Sequence, residues 1–305
     1  MRGRKLLAEI IVPASAGVLC SIALSFLKSL PAISAASGAA DALDMAIRRI
    51  GFSERTTPAL MGALLTGNKS YLDYATIGIF RKSGASHLLA LSGLHLGFIY
   101  TLIRKMLQPL GNSPAINAVR VGTVMGFCTF YTIMTGAGPS ITRALLFIVI
   151  NETCSLNPER KKSGTGVLSM AFIIQVAAMP GVVRSVGFQL SYLAMAGIFL
   201  LGIPMQKWFP QGRRTGILKR IWDASAISIS CQAFTAPLSW YYFHSIPCHF
   251  LLANILALPV TEAAILLSII TITAEGCNIS CNPLVNACDY IFGLLVRILE
   301  TISGM

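Results

Sequence analysis

Charged residues are scarce in this sequence. They make up 12% of its 305 residues, whereas soluble globular domains carry roughly 25%. Hydrophobic residues account for 54%, and the mean hydropathy is +0.70. These values exclude an ordinary soluble domain and predict an all-α polytopic membrane protein.

Acidic residues are the scarcest charged class. The sequence has 12 Asp and Glu against 24 Lys and Arg, so the formal net charge is +12. In membrane proteins an excess of Lys and Arg marks cytoplasmic loops, so this charge does not by itself indicate nucleic-acid binding. Basic clusters lie at 104–105, 160–162 and 207–220. With a cytoplasmic N-terminus, strict alternation of the spans puts all three clusters in the cytoplasm.

Familiar catalytic motifs are also absent. The sequence contains no HExxH, GxSxG or GxxxxGK[ST] motif, which argues against a metalloprotease, a serine hydrolase and a P-loop NTPase. Ser92 precedes His95 by three residues, but no carboxylate in that stretch orients the imidazole. We therefore do not expect an enzyme. Cys277, Cys281 and Cys288 cluster without a nearby histidine, so we expect neither a metal site nor a cofactor.

The sequence divides into three predicted parts. Residues 1–30 begin with basic residues and continue as an apolar run, which we interpret as an uncleaved signal-anchor helix. Residues 31–85 form a small-residue linker followed by short amphipathic helices at the membrane interface. Residues 86–305 form a transmembrane domain.

Eight apolar segments follow the anchor, which gives about nine transmembrane helices in all. The 140–155 segment is short, and the 248–273 segment contains Pro259 and Glu262. Either segment could be broken or re-entrant, an arrangement tolerated at membrane depth only where protein or water surrounds it. The predicted segments are 86–103, 115–135, 140–155, 164–179, 185–203, 222–243, 248–273 and 284–303.

The stretch RKSGASHLLALSGLHLG, residues 81–97, concentrates polar groups in an apolar run. On one continuous helix, His87, Ser92 and His95 would lie near one face. Gly93 and Gly97 form a small-xxx-small pair that lets another helix approach closely. The polar face predicts either a pore lining or hydrogen bonds between helices.

Other polar residues also fall inside apolar segments. An Arg near the centre of a membrane helix costs about 2.5–3.5 kcal/mol, so we expect Arg143 to avoid lipid. It could line a path for an anion, pair with Glu262 or Asp289, or reach toward the outer interface. Gln189, Ser191 and Asn254 are each more typical of hydrogen bonds between helices than of a ligand site.

Five sequence blocks, taken in order, resemble the competence domain of the ComEC family, the inner-membrane channel of bacterial natural transformation. They run from residue 64 to residue 260 and so cover most of the chain. The blocks are LLTGNKSYL (64–72), FRKSGASHLLALSGLHLG (80–97), GAGPSITRALL (136–146), GFQLSYLAMAGI (187–198) and QAFTAPLSWYYFHSIPCHFLLANILALPV (232–260).

The resemblance implies a channel that passes one strand of incoming DNA through the bacterial cytoplasmic membrane. Arg81 and Lys82 would then offer positive charge to the phosphates on the outer side. The implied partners are single-stranded DNA, the lipid bilayer and a cytoplasmic helicase or single-strand-binding motor, with a homo-oligomer left open. By matched position the channel residues would be His87, Ser92, Gly93, His95, Arg143, Gln189, Ser191 and Asn254.

The sequence also departs from the family pattern. Fuller members resemble a three-part protein with an OB-like and a metallo-β-lactamase-like domain, and this sequence has no HxHxDH motif. Nuclease activity is therefore not transferred, and a separate nuclease would process the DNA. The alternatives are a truncated inactive paralogue, or a solute transporter or flippase-like protein with His87, His95 and Asp289 as a proton relay.

Overall fold

The computed structural model describes residues 14–15, 17–18, 32–111, 113–155, 163–209, 216–244, 249–279 and 281–304. The predicted signal anchor lies almost entirely outside these residues. The described residues contain helices and no strand, which confirms the all-α prediction. The α-helices are α1 (Ala32–Arg49), α2 (Thr56–Leu65), α3 (Tyr74–Lys82), α4 (Ser86–Leu89), α5 (Gly93–Met106), α6 (Pro114–Met134), α7 (Pro139–Ser155), α8 (Gly164–Ala178), α9 (Val186–Gly197), α10 (Ile203–Gln206), α11 (Gly216–Phe243), α12 (Phe250–Gly276) and α13 (Asn282–Ser303).

The helices follow the predicted apolar segments to within a few residues, apart from the earlier start of α11 and a break within the 86–103 segment. Among the described residues, two segments are long and apolar enough to cross a membrane, namely Val186–Gln206 and Phe250–Gly276. The first runs through α9, a π-helical turn at Ile198–Gly202 and α10. Nine spans are therefore not confirmed.

The segments that we considered as broken are continuous helices. Helix α12 runs through Pro259 and Glu262, and α7 is uninterrupted. The 86–103 segment is interrupted instead, because Ala90 is extended (ψ 124°) and Ser92 is the N-cap of α5 with ψ 171°. The prediction that His87 and His95 share one helix face was therefore wrong.

The chain forms two compact units. The first comprises Met1–Ala39 and Ser92–Met195. In it, α5, α6 and α7 pack against one another, and α8 packs on α7. Leu96, Val124 and Leu145 are fully buried in the core shared by α5, α6 and α7. This packing brings the beginnings of α5 and α7 together.

The second unit comprises Ala40–Leu91 and Ala196–Met305. Helix α13 packs against α12, α2 and α3, and α11 packs against α12. Leu60, Leu64 and Phe292 are almost completely buried there. Helix α2 differs from the expected amphipathic interfacial helix. All of its residues except Thr56 and Pro58 are buried. Its apolar residues lie on every side, so it packs as an interior helix.

Candidate functional site

The first turn of α5 is built around Ser92 and His95. The Ser92 hydroxyl accepts a hydrogen bond from the Leu94 amide at 3.2 Å, and the Ser92 amide donates to His95 Nδ1 at 3.4 Å. The hydroxyl also lies 3.3 Å from His95 Nδ1. This reciprocal arrangement is a capping box in which histidine takes the place usually held by Glu or Gln. The two side chains are therefore held by the beginning of the helix.

Gly93 lies against the Arg143 side chain of α7. A Cβ atom built on Gly93 would be 2.6 Å from Arg143 Nη2 and 3.2 Å from the Ala144 Cβ. Arg143 is only 7% exposed, and it lies near enough to Tyr192 to interact with it electrostatically. Arg143 is thus enclosed within the first unit, as the cost of exposing it to lipid predicts.

The beginning of α7 is held by a polar network. Gln175 of α8 donates to the Pro139 carbonyl at 3.1 Å and accepts from the Tyr192 hydroxyl at 3.0 Å. Ser140 donates to the Gly187 carbonyl at 3.1 Å. Because Arg143 follows in the next turn, these bonds fix the position of its backbone. Gln175 was not among the predicted site residues, although a polar residue in an apolar helix was a usable signal.

Gln189 and Ser191 make more local contributions. Gln189 donates to the Val183 carbonyl at 2.8 Å and so ties α9 to the short 3-10 helix that precedes it. Ser191 is half-buried in α9. The first unit thus brings together Ser92, Gly93, His95 and Arg143, with Gln189 and Ser191 on a helix connected to them through Gln175.

The second unit holds the other predicted site residues. His87 Nδ1 lies 3.2 Å from the Gly84 carbonyl, and the Asn254 side chain lies near the same imidazole. Asn254 also donates to the Ser228 hydroxyl at 3.1 Å. This hydrogen bond joins α12 to α11.

Arg81 and Lys82 occupy the last turn of α3. Both are exposed, and their positive charges favour a helix C-terminus. Both side chains are therefore accessible, and their contact with the phosphates of DNA stays a prediction.

A buried carboxylate orders the loop after α2, and the sequence analysis did not identify it. Asp44 is 8% exposed. It accepts hydrogen bonds from Thr66 Oγ1 at 3.0 Å and from Asn68 Nδ2 at 2.6 Å. Between them, Gly67 has a φ of 81°, in the region that favours glycine. Asp44 therefore shapes the TGN turn of the first sequence block.

The proposed proton relay has less support. Asp289 accepts a hydrogen bond from the Ser53 amide at 2.8 Å, and His95 takes part in the cap of α5. Within the described part of the second unit, no hydrogen bond joins His87 to Asp289. Over the described ranges, no group of three His, Cys, Asp or Glu side chains is placed to hold a metal ion.

The chain is similar to known proteins both as a family and individually. A family model described as Competence protein matches residues 64–305. ComE operon protein 3 of Bacillus subtilis (strain 168) is 25% identical over 207 residues, which is 68% of this chain and 25% of that protein. The chain therefore spans about a quarter of the length of this relative. No solved structure gives a significant match.

Proposed function

Because the chain belongs to the competence protein family, we propose that it forms a passage for single-stranded DNA through the bacterial cytoplasmic membrane during natural transformation. Membership of this family implies a membrane protein, and Val186–Gln206 and Phe250–Gly276 are long and apolar enough to span. The family match includes every residue that the sequence analysis placed in the passage. These residues therefore belong to the family's common region.

The observation that carries the proposal is the enclosed Arg143. Arg143 places a guanidinium that is 7% exposed in an apolar helical unit, where an arginine costs too much to face lipid. A strand of DNA needs positive charge along its phosphates. Arg143 would supply that charge, Gly93 makes room for it, and the Gln175 network fixes its helix.

Orientation and partners complete the proposal. The N-terminus would lie in the cytoplasm, because that arrangement puts the basic clusters on the cytoplasmic side. Movement of the strand would be driven by a cytoplasmic helicase or a single-strand-binding motor, and a homo-oligomer is compatible with this scheme. We assign no enzymatic step to this chain, so a separate nuclease would degrade the other strand.

The test is transformation frequency with labelled donor DNA in a strain deleted for this gene. We expect wild type to restore transformation and Arg143→Ala to fail, with both proteins present at equal levels in membranes. Arg184→Ala is the matched control, because Arg184 is exposed in the same unit, and it should restore transformation. Unchanged transformation in the deletion strain would refute the proposal.

The absence of an enzymatic step has its own test. The purified protein in detergent should leave labelled single- and double-stranded DNA intact in the presence of divalent cations. Degradation that is abolished by Ser92→Ala or His95→Ala would instead assign a hydrolytic site to this chain.

A further inference from the structure

A basic cavity opens beside the C-terminal half of α5. Its volume is about 290 Å³, and all of its lining residues belong to the first unit. Three of them are cationic. The lining residues are Tyr100, Thr101, Arg104, Lys105, Gln108 and Arg120.

One of the three cations is already neutralised. Arg104 forms an ion pair with Glu152, whose side chain is completely buried. The Tyr100 hydroxyl donates to the same carboxylate at 2.6 Å. This network fixes one wall of the cavity and leaves Lys105 and Arg120 to provide its net positive charge.

Arg120 is the unusual residue of the cavity. It is 8% exposed, and its Nη2 donates to the carbonyls of Leu107 and Gly111. Its Nε is buried and has no partner among the described residues. A buried donor without an acceptor is costly, and the planar guanidinium matches the geometry of a phosphate group. An anion entering the cavity would provide the acceptor that Arg120 lacks.

We propose that this cavity binds the phosphate of an anionic phospholipid headgroup. Met106, Leu110 and Val119 lie within two residues of a lining residue in sequence and are 69%, 54% and 64% exposed. Apolar surface next to a phosphate site suits a ligand with acyl chains. Lys105 also belongs to a cluster predicted to be cytoplasmic, where basic pockets bind anionic lipids. The inference rests on the membrane location in the proposed function, but not on DNA transport.

The test uses the full chain purified in a neutral detergent, with phosphatidylglycerol added and binding followed by the shift in thermal unfolding. Wild type should be stabilised by phosphatidylglycerol and not by phosphatidylcholine. Lys105→Glu should bind phosphatidylglycerol about tenfold more weakly, because it reverses a charge at the cavity. Lys105 is exposed, so this change spares the core. Arg120→Lys, which keeps the positive charge but loses the planar guanidinium, should also weaken binding.

The matched control is Lys219→Glu, which makes the same change at an exposed lysine outside the cavity and should bind like wild type. Equal binding by wild type and Lys105→Glu would overturn the site. Full stabilisation by glycerol phosphate at the same concentration would overturn its assignment to a lipid. A third outcome is that wild type binds a ten-nucleotide oligothymidine, that Lys105→Glu does not, and that phosphatidylglycerol stabilises neither protein. That result would identify the ligand of the cavity as nucleic acid instead of lipid. Because transformation is not the readout, failure here is distinguishable from failure of the proposed DNA passage.

Discussion

A Cβ atom on Gly93 would lie 2.6 Å from Nη2 of Arg143. The two residues come from separate sequence blocks, and the contact joins the beginning of α5 to the beginning of α7. Gly93 thus does more than allow two helices to approach. It leaves the space that a buried guanidinium occupies.

Gly93→Ala should displace Arg143 and impair transformation about as strongly as Arg143→Ala. Adding a methyl group to a packed site costs about 1–3 kcal/mol, and here the nearest atom belongs to the proposed DNA-contacting residue. The measurement is transformation frequency in the complemented deletion strain, normalised to the amount of protein in membranes.

Gly97→Ala is the matched control for this change. It lies one turn further along α5, and a Cβ there would meet nothing within 4 Å. We expect normal transformation, since alanine favours the helix by up to about 1 kcal/mol relative to glycine. An equal loss of transformation in the two variants would show that α5 does not tolerate alanine at either position. The effect of Gly93→Ala could then not be attributed to displacement of Arg143.

The helices could be predicted from sequence because long apolar runs determine where they form. The break before α5 could not be predicted, since the apolar residues continue through Ala90 and Leu91. The signal was Ser92 followed three residues later by His95, but a capping box normally has Glu or Gln at that position. Helical periodicity alone therefore predicted one continuous helix where the structure has two.

Individual residues of the site could be predicted from the sequence, but the contacts between them could not. Arg143 was identified because a charge inside an apolar segment is conspicuous. Its contact with Gly93 depends on how α5 and α7 pack, which no local pattern specifies. Asp44 was missed for a related reason: an acid in a segment predicted to form short interfacial helices is expected at the surface, and only the structure shows that Thr66 and Asn68 donate to it.

Ser92→Ala should lower stability by about 1 kcal/mol, because it removes the acceptor for the Leu94 amide at the beginning of α5. Ser92→Asp should retain most of the stability, since Asp is an equally good N-cap. The measurement is thermal unfolding in detergent. Equal destabilisation by both changes would mean that the hydroxyl has a role other than capping.

His95→Ala should impair transformation more than Cys281→Ala. His95 is 5% exposed in the first turn of α5, where its ring contacts Ser92, whereas Cys281 is a half-buried residue before α13. The comparison requires equal protein levels in membranes. Equal transformation by the two variants would leave His95 with a packing role only.

Reporter fusions test the predicted orientation. A reporter fused after Lys162 or after Arg214 should be cytoplasmic, because both positions belong to basic clusters. A fusion after Arg184, which lies between two predicted spans on the opposite side, should be periplasmic. Periplasmic signal from both of the first two fusions would reverse the orientation.

Asp44→Ala should destabilise the protein by about 1–3 kcal/mol, since Thr66 and Asn68 would lose a buried acceptor. The matched control is Asp41→Ala, because Asp41 is exposed on the same helix and surface changes usually stay within about 0.5 kcal/mol. Thermal unfolding measures the difference, and limited proteolysis at Lys69 reports on the loop. We expect faster cleavage at Lys69 in Asp44→Ala alone. If both variants are cleaved at the wild-type rate, the TGN turn holds its shape without Asp44, and Gly67 with its positive φ is sufficient to form it.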